Sequence, residues 1–343
     1  MRIKRLGIIA GVVATVAVVA GATISLAPMQ RTLAAPTHAT SGVPRYQHIF
    51  YIMMENHSYG EIIGNTAEAP HLNALANEYG LATNYWGVVH PSEPNYVAAV
   101  AGSNYNAVSD APYQTQQIHQ PYLGSQLEAA GLMWKTYQQS LPYAGFSGNY
   151  SPSSSVALYA SKHNPFLNFQ PDYTASQWQT ELSKTVPDTQ LAQDLANNDA
   201  PNFAFIAPDQ CHDMHGISGY GSCDYSDQSA LIIAGDTYVA NTVDLITHSK
   251  TWQEGNNAIV ITWDENDFSV VQGPANIASA GGHVATIVIA NHGPRGVRDN
   301  TTYNHYALLL TIEDAFHLGC LANSCPATGG VQPMTPLFNA SDE

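Results

Sequence analysis

The sequence predicts an α/β fold, a three-layer α/β/α sandwich built on a mostly parallel central sheet. Three observations carry this. Apolar strand-like runs alternate with helical segments, which is the pattern of βαβ units. Several of those runs end abruptly in carboxylates and amides. A chain of 343 residues with 45% hydrophobic content has enough apolar surface for one large core.

The elements follow in order. Arg2, Lys4 and Arg5 form a basic start, and residues 6–29 carry no charge, a run long enough to span a bilayer. Residues 1–39 therefore read as a secretory signal, with an uncleaved N-terminal anchor as the alternative, and residues 40–343 as a single domain outside the cytoplasm. Residues 46–56 form a continuous apolar strand. Residues 70–79 form a helix with Leu72, Leu75 and Ala76 on one face. After Gly80, "LATNYWGVVHPSEPNYVAAVAGSNY" is strand-like in its first half and opens a helix near Ser92, with Pro91 or Pro94 in the first turn. Residues 124–139 give a helix running into a short strand. Residues 140–180 are rich in Ser, Asn, Pro, Tyr and Gln and read as an irregular insertion. Strands follow at 202–209, 258–267 and 285–291, separated by a long helix over 226–248. The tail at 303–319 is an amphipathic helix for which Gly319 is the expected C-cap.

Charge narrows the function. Only 11% of residues are charged, and four of the 11 basic ones lie within the first 31 positions. The rest of the chain keeps 7 basic against 27 acidic residues, a formal net of −20. Such a surface repels nucleic acid and anionic membranes, so membrane attachment is expected only through the N-terminal segment. Sparse charge also suits an acidic medium. Four cysteines in an exported chain predict disulfides, and of the three possible connectivities Cys211–Cys223 with Cys320–Cys325 is the simplest. A zinc site on Cys211, His212, His215 and Cys223 lacks a CxxC pair and is disfavoured.

The strand ends carry the chemistry. In a parallel sheet the carboxyl ends of strands share one edge, where working residues sit. The run at 49–54 ends in Glu55-Asn56, the run at 259–263 in Asp264-Glu265, and the strand after Gly80 in His90-Pro91-Ser92. Taken singly, each is an ordinary loop start, and Ser92 an ordinary helix N-cap. Together they place three carboxylates, an amide and a hydroxyl at one edge. Such a group repels itself unless a cation or shared protons intervene. Oxygen donors of this kind suit one divalent metal ion, whose identity they do not select. A hydroxyl beside that ion becomes a nucleophile, and the free N–H groups of a helix start cradle phosphate oxygens. The chain beyond the leader has only Arg45, Arg295 and Arg298 as guanidinium donors. His163 in "KHNPF" and His215 in "HDMHG" are therefore the candidates to meet phosphate charge or protonate a leaving group. The "GxSxG" elbow of acyl hydrolases is missing, which ranks an acyl-transfer triad low, and a non-catalytic surface protein ranks below the enzyme.

At these residues the chain resembles the bacterial phosphoesterase family of secreted acid phosphatases and phospholipases C, within the alkaline-phosphatase-like superfamily. The resemblance runs over about 47–319 and rests on seven segments in order: "IFYIMMENHSYGEIIG", "HPSEPNYVAAVAGS", "YASKHNPFLNF", "FIAPDQCHDMHG", "AIVITWDEND", "GGHVATIVIA" and "YNHYALLLTIEDAFHLG". It implies hydrolysis of phosphate esters through a phosphoserine. Glu55, Asn56, Asp264 and Glu265 match the metal ligands, with Ser92 both ligand and nucleophile. His163 and His215 match histidines of the phosphate pocket, and Asn95 is a further candidate for phosphate contact. The region after "TWDE" departs from the long phospholipase C members, whose large C-terminal domains are missing too. A compact acid phosphatase acting on monoesters, phosphoinositides included, is therefore expected ahead of a phosphodiesterase. The implied substrate is a phosphorylated small molecule or lipid head group.

Overall fold

The computed structural model describes residues 42–170, 172–269 and 273–339, so the N-terminal segment expected to direct export lies outside the described residues. The strands are β1 (His48–Met54), β2 (Gly80–Trp86), β3 (Trp134–Gln138), β4 (Tyr150–Ser153), β5 (Val156–Ala160), β6 (Thr185–Pro187), β7 (Phe203–Ala207), β8 (Asn257–Trp263), β9 (His283–Ala290), β10 (Arg298–Asp299) and β11 (Tyr303–Asn304). Nine of them form one sheet in the order β10-β2-β9-β8-β1-β7-β3-β6, with β11 beside β2. The central strands are apolar throughout because both faces are covered: β1 from Ile49, β7 and β8 are buried end to end.

Pairing is parallel for β1 with β7 and β8, and for β3 with β6 and β7; β9 runs antiparallel to both of its neighbours. The layers follow from handedness. Passing from β1 to β2 moves one way along the sheet and from β2 to β3 the other, so right-handed crossovers put the intervening helices on opposite faces. Accordingly, helix Pro70–Glu78 packs with Gln228–Thr247, and helix Ser92–Ala101 packs with His305–Ala315. All ten residues of Ser92–Ala101 are buried, the polar Ser92, Glu93 and Asn95 included, so every face of this helix is covered.

Two expectations need correction. The described residues of 140–180 include regular elements: a β4–β5 hairpin, two short 3-10 turns (Ser161–His163 and Pro165–Asn168) and the start of helix Ala175–Leu182. Their side-chain hydrogen bonds and short turns leave no hydrophobic period to read. The last long helix ends at Ala315, and the left-handed residue after it is His317 at φ +56°, not Gly319. Both disulfides have the local pairing, with Cα–Cα distances of 5.1 and 5.0 Å. The Cys211–Cys223 bond takes up both sulfurs that a zinc site would have needed. Among the described residues no helix is long and apolar enough to cross a membrane.

Candidate active site

Register assembles the site. Met54 of β1 pairs with Trp263 of β8, so the next residues, Glu55 and Asp264, leave the sheet side by side. Asn56 turns the chain at φ +51°, a conformation Asn tolerates better than most residues, and its N–H donates to Asp264 Oδ1 at 3.3 Å. The turn after β2 lies against the same edge. A Cβ at Gly87 would sit 2.7 Å from the Asp264 carbonyl and 2.8 Å from that of Gly281, so only glycine permits this approach. That contact brings the start of Ser92–Ala101 over the ends of β1 and β8.

Ser92 is buried at the first position of its helix. Its Oγ donates to Glu55 Oε2 at 2.9 Å and lies 3.3 Å from Glu265 Oε1. Glu265 Oε2 receives His90 Nδ1 at 2.7 Å and Asn95 Nδ2 at 3.2 Å. On the other flank His163 is clamped between carboxylates, with Nε2 3.0 Å from Glu55 Oε1 and Nδ1 3.1 Å from Asp213 Oδ2. Beside it Lys162 Nζ lies 3.3 Å from Asp110 Oδ2 and 3.2 Å from His215 Nε2.

Electrostatics sorts these groups. Burial works against the charge on His163, but Glu55 and Asp213 outweigh it and push the imidazole up to about 9. Burial likewise opposes ionisation of Glu55, yet His163 and Lys162 hold it well below the usual carboxylate range. Burial and the neighbouring carboxylates Glu55 and Glu265 drive Asp264 well up, and burial together with Glu55 moves Glu265 up to about 7 against its bond with His90. His215 falls to about 4 through burial and the nearby Lys162 charge, so it is neutral; its Nδ1 donates to the Gly216 carbonyl at 2.8 Å and its Nε2 accepts from Lys162.

The five oxygen-bearing residues expected to hold a metal fit such an ion. Asn56 Oδ1 and Asp264 Oδ2 are buried without a hydrogen-bond donor, a costly condition that a cation would relieve. Among the described residues no three His, Cys, Asp or Glu groups are already drawn into a cage; Glu55 and Glu265 are turned to Ser92 and the histidines instead.

Seven of the eight expected site residues, Glu55, Asn56, Ser92, His163, His215, Asp264 and Glu265, meet at this edge. Asn95 meets them as a brace. Its Oδ1 accepts from the N–H groups of Val88 and Val89, and its Nδ2 donates to the Val89 and Pro91 carbonyls as well as Glu265, which leaves no polar atom for a phosphate. His57 is buried with Nδ1 on the Glu55 carbonyl at 3.1 Å. Sequence reasoning missed Lys162 and Asp213. Lys162 had a readable signal: it is one of the few basic residues beyond the leader and stands next to His163. Asp213 had none, because only the loop after β7 returns it to His163.

A cleft of about 300 Å³ opens beside Asn56 and His215, its walls including Glu61, Met214, Tyr225 and Phe268.

Residues 65–319 match the model of the phosphoesterase family. The chain is 30% identical over 295 residues to a phosphatidylinositol-3-phosphatase of Mycobacterium tuberculosis, covering 84% of each. It is 29% identical over 280 residues to a probable acid phosphatase of Kluyveromyces lactis, covering 80% of this chain and 60% of that one. An acid phosphatase of Aspergillus fumigatus is 27% identical over 282 residues, with 81% and 56% covered. The chain thus spans little more than half the length of the Kluyveromyces and Aspergillus proteins. Its fold is similar to that of a protein in the alkaline phosphatase superfamily from Vibrio parahaemolyticus, at a TM-score of 0.53 and 12% identity over 81% of this chain and 68% of that one. A phosphonate monoester hydrolase from Silicibacter pomeroyi has a TM-score of 0.51 at 14% identity, over 87% and 78%. With most of its length matched to the family model and the Mycobacterium relative aligned over 84% of both proteins, the chain belongs to the phosphoesterase family.

Proposed function

We propose that this chain is an exported, metal-dependent acid phosphatase that hydrolyses phosphate monoesters through Ser92. The observation that carries the reading is the Ser92 hydroxyl, buried at a helix start and pointed at two carboxylates from different strands, with orphaned oxygens of Asn56 and Asp264 alongside. The names of the relatives, an acid phosphatase and a phosphatidylinositol-3-phosphatase among them, favour a monoester substrate, small or lipid-borne. Two disulfides support an oxidising compartment.

In this reading Ser92 Oγ attacks phosphorus while its proton passes to Glu55, which His163 and Lys162 keep ionised. An oxygen–phosphorus bond forms to Ser92, the ester oxygen leaves as an alcohol after taking up a proton, and water then cleaves the phosphoserine to give inorganic phosphate and the restored hydroxyl. A divalent ion held by Glu55, Asn56, Ser92, Asp264 and Glu265 supplies, when bound, a more acidic hydroxyl and compensation for phosphoryl charge. Lys162 adds fixed positive charge, and neutral His215 helps to position it by accepting its N–H. The geometry does not favour an acyl-transfer triad, since the hydroxyl of Ser92 bonds carboxylates rather than an imidazole.

The test is hydrolysis of nitrophenyl phosphate. Ser92→Ala should abolish turnover while leaving the chain folded, since the Ser92 hydroxyl makes no helix-capping bond. A chelator should remove activity and lower the melting temperature, and added divalent ion should restore both. Wild-type rates in Ser92→Ala, or full activity after chelation, would overturn the proposal; turnover of nitrophenyl phosphocholine alone would move the reading to a diesterase.

A further inference from the structure

The cleft beside Asn56 and His215 has features that the chemistry at Ser92 does not use. Phe268 and Tyr225 both line it, and each is more than half exposed, at 56% and 57%. Large aromatic side chains normally bury most of their surface, and two that open into one cleft leave apolar area for a ligand to cover. Both rings are tied to the site. Phe268 stacks on His90 at 4.2 Å, and His90 in turn holds Glu265; Tyr225 leans on His215 with ring centroids 6.4 Å apart. Phe268 is kept in place at φ +61°, a conformation that costs a bulky residue free energy and persists where its surroundings impose it.

The remaining walls set the charge. Glu61 and Asp267 are both carboxylates of the cleft, and their bonds to Ser58 fix them there: the Ser58 N–H donates to Glu61 at 2.7 Å and the Ser58 hydroxyl to Asp267 at 2.5 Å. Among the described residues no lysine or arginine lines it. A leaving group in this cleft therefore meets two aromatic rings and two negative charges.

Resting on the phosphatase reading, we infer that the cleft is the leaving-group subsite, that it takes a ring-bearing alcohol between Phe268 and Tyr225, and that Glu61 and Asp267 reject alcohols carrying a second phosphate monoester, a dianion. Like charges facing an anionic group repel it, and a repulsive element of this kind sets specificity between related substrates. Ring hydroxyls, by contrast, can donate to the same carboxylates, so a polyhydroxylated ring is as well served as an aryl one.

The test compares kcat/KM for 1-naphthyl phosphate, glycerol 2-phosphate and fructose 1,6-bisphosphate on the metal-loaded full chain. Intrinsic reactivity differs among these esters, so the informative quantity is the change in each ratio between wild type and variant. Phe268→Ala/Tyr225→Ala should lower the naphthyl-to-glycerol ratio by about tenfold or more, as expected for lost apolar contacts in a specificity pocket. Tyr225→Ala alone should lower it in the same direction, which keeps the test decisive if Phe268→Ala disturbs His90. Glu61→Gln/Asp267→Asn should raise the bisphosphate-to-naphthyl ratio. If turnover persists with both ratios unchanged, the subsite is refuted while the phosphatase reading stands. If wild type turns over none of the esters, the reading of the site fails and the subsite with it.

Discussion

Lys162 is the one lysine or arginine among the residues assembled around the site, and it is expensive to keep. Its side chain is 14% exposed, and burial alone would lower its affinity for a proton. Glu55, Asp110, Asp264 and Asp213 more than offset that and hold it charged. A fixed cation aimed where phosphoryl charge develops is worth more in such an environment than in water. Lys162→Met should therefore lower kcat/KM for a phosphate monoester by about a hundredfold. It should also relax the grip on Glu55, moving the acid limb of the pH–rate profile upward. An unchanged profile with unchanged kcat would show that Lys162 is merely structural.

Among elements, helix Ser92–Ala101 has the most exacting position. It carries Ser92 at its start and, one residue on, buried Glu93, whose two oxygens accept from Gln116 Nε2 at 2.9 Å and Asn168 Nδ2 at 2.7 Å. The Asn168 bond fastens the helix to the Pro165–Asn168 turn, and so to the neighbouring turn that supplies Lys162 and His163. Burial pushes the Glu93 carboxyl up to about 7 despite the two amide donors. Glu93→Gln sets one amide N–H₂ against another, leaving a buried donor unpaired. The expected cost is about 1–3 kcal/mol in urea denaturation, with loss of activity beyond that of a helix-surface control. A neutral result would mean that the helix and the turn are held together by other contacts. The same helix shows why the site was partly legible. Pro91, Ser92 and Pro94 announce a helix start in the sequence. Nothing local announces that Glu93 will reach Asn168, 75 positions away.

For the molecule as a whole, acidic groups outnumber basic ones and several are buried, so stability should depend on pH in a specific direction. Glu313 is fully buried, with Ser324 Oγ donating to it at 2.6 Å, and burial, reinforced by Asp314, pushes its carboxyl well above the carboxylate range. It is neutral when folded and ionises on unfolding. An acid whose folded affinity for protons is raised contributes its stability fully below the unfolded value of about 4.3, and that contribution declines as pH rises above it. Glu313→Gln cannot ionise in either state. Its melting temperature should fall less than that of wild type between acidic and neutral pH, and thermal melts across that interval would expose the difference. Parallel curves for the two proteins would exclude Glu313 as a titrating contributor.

Local pattern sufficed for the alternation of strands and helices, for the edge of the sheet where chemistry would gather, and for Glu55, Asn56, Ser92, Asp264 and Glu265 as its members. The reason is geometric: strands with both faces buried read as unbroken apolar runs, and parallel strands bring their carboxyl ends to one edge whatever their order. The partners of each side chain depended instead on register and on loops returning from far along the chain. Pairing of Met54 with Trp263 set Glu55 beside Asp264, the close approach at Gly87 lowered Ser92 onto both, and the ordered segment after β3 delivered Lys162. Asn95 shows the difference most directly. In sequence it was one more amide near a serine; folded, all its polar atoms are bound within the protein, because a buried amide must satisfy itself locally before it can serve a ligand.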